Sequence, residues 1–88
     1  MKKKDMTYVA IVDDKKSLRN ALQERFETFE NYKVLFTAEN GEDFLEKMMI
    51  ARKTIEPDVV LMDIDMPVMN GIEAVAMGKE RYPDSKYL

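Results

Sequence analysis

The 88-residue chain has no cysteine, no histidine and no tryptophan, and only three glycines and three prolines. Without cysteine there is no disulfide framework, no thiolate metal site and no cysteine nucleophile. Without histidine there is no Ser-His-Asp triad, no imidazole-bound zinc and no internal phosphohistidine. Any metal must be held by oxygen, which favours magnesium, calcium or manganese. No apolar run approaches the roughly 18 residues of a membrane span. The charged start Met1-Lys2-Lys3-Lys4-Asp5 is not followed by a signal-type apolar region, so residues 1–7 read as a solvated tail and the chain as cytoplasmic, with no membrane partner. The balance of 14 basic against 17 acidic residues gives a net charge of −3, which argues against direct nucleic-acid binding by this segment.

What remains is the composition of one small globular domain, 45% apolar and 35% charged. Tyr8 to Val12 is an apolar, β-branched run without alternation, the pattern of a strand buried on both faces. Leu18, Ala21, Leu22, Phe26 and Phe29 recur at helical spacing, with Asp14 or Ser17 as candidate caps. Lys33 to Ala38 reads as a second strand, with Val34, Phe36 and Ala38 on one face, stopped by the turn signal Asn40-Gly41. A second helix is expected from about Glu42, with Phe44, Leu45, Met48 and Met49 as its apolar set, ending before Pro57. Val59 to Met62 is a third apolar strand. A third helix over Ile72 to Arg81 would use Ile72, Val75, Ala76 and Tyr82, and Gly78 inside it costs about 1 kcal/mol relative to alanine. Lys86-Tyr87-Leu88 reads as the start of a fourth strand. This β-α-β-α-β-α-β order specifies a parallel α/β sheet with right-handed crossovers.

In such sheets ligands sit beyond the carboxyl ends of the strands. The first strand ends in Asp13-Asp14 and the third in Asp63. If those strands are neighbours, three carboxylates converge, and their repulsion is relieved by a divalent cation. Asp14 and Asp63 would bind it directly, Asp13 directly or through water, and the Asp65 backbone carbonyl would add an oxygen. That set suits Mg2+, with Mn2+ as a substitute. A carboxylate beside such an ion can attack phosphorus and form an acyl phosphate. Taken singly, the acids have plainer readings. Asp14 could be a helix cap, Asp13 a solvated neighbour and Asp65 a loop acid. Met66 and Met69 read as packing residues, and Lys15, Lys16 and Lys79 as solvated.

Val12-Asp13-Asp14, Ala38-Glu39-Asn40-Gly41-Glu42 and the run from Pro57 to Gly71, with Met62-Asp63-Ile64-Asp65-Met66-Pro67 at its centre, resemble the receiver domain of two-component response regulators. The resemblance covers about Tyr8 to Leu88 and implies an α/β, flavodoxin-like doubly wound parallel sheet. It implies that Asp63 is the phosphoacceptor, that Asp13 and Asp14 form the acidic pocket, and that Asp14, Asp63 and the Asp65 carbonyl hold Mg2+. The implied donor is a phosphohistidine on a sensor histidine kinase. The segment from Asp58 onward is most similar to receivers attached to helix-turn-helix DNA-binding domains, which points to transcription regulation.

The family pattern has five strands in sheet order 2-1-3-4-5, a Ser/Thr ending the fourth strand and a Lys ending the fifth. This chain stops where the fourth begins, so residues 8–88 are expected to be a receiver incomplete at its C-terminus. An open sheet edge beside apolar strand three then predicts self-association or strand exchange. Two other readings stand beside the leading one. One is a non-phosphorylatable receiver-like interaction module. The other is a haloacid-dehalogenase-type phosphatase, since Asp63-Ile64-Asp65 also resembles that family's D-x-D core. However, Met66 follows where that family prefers Thr or Val. The reading adopted is a regulatory phosphoacceptor, not an enzyme beyond self-catalysed phosphotransfer.

Overall fold

A computed structural model describes residues 6–63, 66 and 69–88. The expected alternation is present: β1 (Thr7–Val12), α1 (Lys16–Glu27), β2 (Tyr32–Ala38), α2 (Gly41–Ala51), β3 (Val59–Met62), α3 (Gly71–Arg81) and β4 (Lys86–Tyr87). The sheet is parallel in the order β2-β1-β3-β4. β1 begins one residue earlier than expected, and the tail reading for residues 1–5 lies outside the described residues. Among the described residues no helix is long and apolar enough to cross a membrane.

β1 is central because it is apolar on both faces. Val9, Ala10, Ile11 and Val12 are all essentially inaccessible to solvent. Ala10 and Val12 face α2 and α3, in a core with Phe44, Met48, Val60, Met62, Met66 and Tyr82. Val9 and Ile11 face α1, with Val34, Leu22, Phe26 and Leu61. That second face is thinner, because one amphipathic helix covers it. No α1 residue is fully buried, Leu18 is 39% exposed, and Phe29 lies beyond the helix end at 48% exposure, against an edge of Tyr32. The expected apolar stripe of α1 is therefore only half used.

The expected common face of Val34, Phe36 and Ala38 is wrong. Val9 pairs with Val34 but Ala10 pairs with Phe36, so Leu35 is an extra residue in β2. The bulge flips the side-chain alternation. Val34 packs on the α1 side, whereas Phe36 and Ala38 pack on the α2 side.

Two helix faces are also rotated from expectation. Phe44, Leu45 and Met48 of α2 are buried, but Met49 is 56% exposed. In α3 the buried positions are Gly71, Ala74 and Gly78, while Ile72 is 66% exposed. Small residues let α3 approach closely. A side-chain carbon at Gly78 would lie 2.8 Å from the Tyr87 ring, so the helix-weakening glycine makes room for that ring. Tyr87 in turn meets Phe44 edge-on at 6.2 Å and donates to the Tyr82 carbonyl at 3.0 Å.

β4 pairs with Val59 and Val60 of β3, and the Leu88 N–H continues the ladder to the Val60 carbonyl at 2.8 Å. Ser85 ties its start to the residues leading into β3 through a buried 2.6 Å bond from its hydroxyl to the Pro57 carbonyl. β3 thus has a bonded neighbour on each side.

Candidate functional site: an acid cluster at the carboxyl ends of adjacent strands

The parallel β1–β3 ladder puts Val12 level with Met62. The next residue of each strand, Asp13 and Asp63, must therefore emerge side by side. The Asp63 N–H donates to the Val12 carbonyl at 2.9 Å, and the Asp13 N–H to the Ala38 carbonyl at 3.0 Å, so the sheet bonding holds both backbones. Asp14 follows at the rim. One carboxylate oxygen from each of Asp13, Asp14 and Asp63 falls within 4.8 Å of the others. The three acids expected to converge do converge. The Asp65 carbonyl lies outside the described residues.

Asp13 is the buried member at 7% exposure. Its Oδ1 accepts the Lys15 backbone N–H at 2.9 Å, and its carbonyl accepts from the Arg19 guanidinium at 2.8 Å. This corrects the expected helix cap. Lys15 occupies the cap position of α1 with no side-chain cap bond, and neither Asp14 nor Ser17 serves. Asp14 is thereby left to the cluster.

Lys15 was expected to be merely solvated, yet its ammonium is shared by all three acids. Nζ lies 3.3 Å from Asp13 Oδ1, 3.1 Å from Asp14 Oδ1 and 3.3 Å from Asp63 Oδ2. Asp14 first, then Asp63 and Asp13, hold this ammonium above the ordinary lysine range. The side chain is still 59% exposed, so each pair is weak. The only sequence signal was its place directly after the acid pair. Met66 and Met69 pack against the core as expected.

Met69 and Asn70, which lead into α3, are held by α2 and by α3 itself. Asn40 caps α2 by accepting the Asp43 N–H at 2.7 Å, so Asn40-Gly41 is a helix start rather than a free turn. Gly41 donates its N–H to the Met69 carbonyl at 3.2 Å. A side-chain carbon there would lie 2.7 Å from Met69 Cγ and 2.9 Å from its oxygen. Asn70 caps α3 in a reciprocal capping box with Glu73. Beside Asp13 and Asp63 opens a hollow of about 210 Å³ with Leu22, Leu61 and Leu88 on its walls.

The donor set is all oxygen, as hard divalent cations require. Neighbouring oxygens around an octahedral Mg2+ stand about 3 Å apart, so the three carboxylates, now within 4.8 Å of one another, must draw together to take it. That is within the reach of an exposed Asp14 and a half-buried Asp63.

This is a flavodoxin-like doubly wound domain whose acids line the crevice beyond its central strands. More narrowly, the chain belongs to the response regulator receiver domain family of two-component signalling, which matches residues 9–87. It is 46% identical over 67 residues, 76% of this chain, to a protein-glutamate methylesterase/protein-glutamine glutaminase of Idiomarina loihiensis, and covers 16% of that protein. It is 39% identical over 83 residues, 94% of this chain, to the transcriptional regulatory protein LnrK of Bacillus subtilis, and covers 36% of it. The chain thus spans a minor part of these curated relatives. Among solved structures it is similar to the response regulator domain of Thermotoga maritima CheB (TM-score 0.83, 30% identity, 93% of this chain and 57% of that one). It is likewise similar to a chain of the CheX-CheY-BeF3-Mg2+ complex of Borrelia burgdorferi (TM-score 0.81, 30% identity, 92% of this chain and 58% of that one). A receiver domain is a regulatory module, and that is what this chain is.

Proposed function

We propose that Asp63 is the phosphoacceptor of this receiver and that Asp13, Asp14 and Asp63, with the Asp65 carbonyl, hold Mg2+. The supporting observation is the convergence of three carboxylates at the ends of adjacent β1 and β3 in a chain of this family. The likeness to a receiver structure determined with BeF3 and Mg2+ adds to it. Asp14 and Asp63 are the direct ligands. Asp13 is set deeper and already engaged by the Lys15 N–H, which suits contact through water. Bound Mg2+ would supply the positive charge that lets carboxylate and phosphoryl group approach.

A carboxylate oxygen of Asp63 attacks phosphorus as the donor's P–N bond breaks. The bonding pair leaves on the imidazole nitrogen of a sensor kinase histidine, and an acyl phosphate remains on Asp63. The reaction is stoichiometric and self-catalysed, not turnover of a free substrate. The domain works in the cytoplasm as the receiver of a longer regulator. The long match to LnrK favours a transcriptional output, and the methylesterase relatives mark the other one. Self-association would use the outer edge of β4, which has no strand beyond it among the described residues. A sharp monomer by light scattering refutes that part.

The test is incubation with beryllofluoride and Mg2+, or with acetyl phosphate and Mg2+, read by NMR and intact mass. An adduct that needs both Mg2+ and Asp63, and is lost in Asp63→Ala, is expected. No adduct at all favours the inert interaction module. Multiple-turnover release of phosphate from varied monoesters favours the phosphatase.

A further inference from the structure

The cation within reach of the acid cluster is one the chain carries itself. Lys15 Nζ sits 3.1 to 3.3 Å from one oxygen of each of the three acids. A divalent ion held by the same carboxylates would have to enter the space between the oxygens that now hold the ammonium. Two like charges repel strongly at that range, so the ammonium and a divalent cation exclude each other. The three carboxylates, with one oxygen each within 4.8 Å of the others, must draw closer to bind one ion in common.

We propose that Lys15 is a tethered competitor for the divalent-cation site, and that its ammonium must swing out before Asp14 and Asp63 can close on the ion. This rests on the metal reading above and adds the residue that sets how much Mg2+ the site needs. The geometry permits the exchange. The Lys15 backbone is anchored, its N–H on Asp13 Oδ1 at 2.9 Å and its carbonyl accepting the Arg19 N–H at 3.0 Å. The side chain beyond that anchor is 59% exposed, so solvent lies open to it. Lys16, the next residue, makes no ion pair with the cluster among the described residues, so it is the natural control. The effect is general electrostatics confined to one place. The acids keep a counter-charge at low Mg2+, and the site stays closed to the ion until its concentration displaces the ammonium.

The magnitude follows from the exposure. Individual exposed ion pairs are weak, and three sharing one ammonium amount to about tenfold in affinity. Mg2+ alone is titrated into the chain, followed by calorimetry and amide NMR shifts. Lys15→Ala is expected to bind about tenfold more tightly than the parent. Lys15→Arg, which keeps the charge, should stay within about threefold of the parent, and Lys16→Ala within about twofold. Without divalent cation Lys15→Ala should melt lower than the parent, and added Mg2+ should raise its melting temperature by more. Equal or weaker binding by Lys15→Ala overturns the proposal and leaves the metal site standing, provided Asp63→Ala abolishes binding. If neither parent nor variants bind Mg2+, the metal site and the proposal fall together.

Discussion

Replacing Gly41 with alanine should destabilise the domain, although alanine is the better helix former. Gly41 opens α2 with ordinary helical backbone, so no strained conformation is at issue. The cost is space. The new carbon would sit 2.7 Å and 2.8 Å from Cγ and Cβ of Met69 and 2.9 Å from its carbonyl oxygen. Ordinary contact is about 3.4–4 Å, and the methionine tip can yield where a backbone oxygen cannot. Overpacking of this kind costs about 1–3 kcal/mol. Against it stands a gain of about 0.4–1 kcal/mol from the stiffer unfolded chain. The net is a loss of about 1–2 kcal/mol, or roughly 5–15 °C in melting temperature at this size. Thermal and urea unfolding followed by circular dichroism measure it. Shortening Met69 to alanine in the same chain removes the Cγ contact, so the double variant should lose less than the sum of the singles. A Gly41→Ala protein that melts at or above the parent temperature refutes the argument that this glycine is there for close approach.

Two further predictions come from the same region and its far edge. Asn70→Ala removes the acceptor of the Glu73 N–H at 2.9 Å and with it the capping box. It should cost about 1 kcal/mol in urea unfolding, while Asn70→Ser, which keeps an acceptor, should cost a few tenths. Tyr87 has its hydroxyl pushed up to about 12, by burial first and then by the charge of Glu56 and the neighbouring Tyr82. The folded form holds this proton where the unfolded chain, at about 10, releases it. Its contribution is therefore full below pH 10 and lost as pH rises through 12. For a half-exposed group the effect is about 1 kcal/mol, seen as a stability gap between parent and Tyr87→Phe that narrows over that range. A gap that stays constant from pH 9 to 12 refutes it.

The sequence alone determined the element order, the parallel α/β class and the identity of the acids. All three are local or pattern properties. Val9 to Val12 and Val59 to Met62 are apolar without alternation, and such strands must be interior wherever they lie. A strand that is interior and ends in aspartate carries that acid to the rim of the sheet. Pairing β1 with β3 then leaves Asp13 and Asp63 no other place to be.

Tertiary structure decided what depends on a partner distant in sequence. The bulge at Leu35 is a matter of how β2 registers on β1, and it split Val34 from Phe36 although both fit one alternating pattern. Which stripe of α3 is buried was settled by how near small residues let it come, so Gly71, Ala74 and Gly78 displaced the larger Ile72. Met49 was left outside because α2 meets the sheet through Phe44, Leu45 and Met48. Lys15 is the sharpest case. A lysine next to two aspartates is ordinary by composition, and only the third acid, 48 residues away, makes its position a site. The absence of histidine and cysteine limited this protein to oxygen chemistry from the first line. The fold brought those oxygens together and set a cation of the chain's own among them.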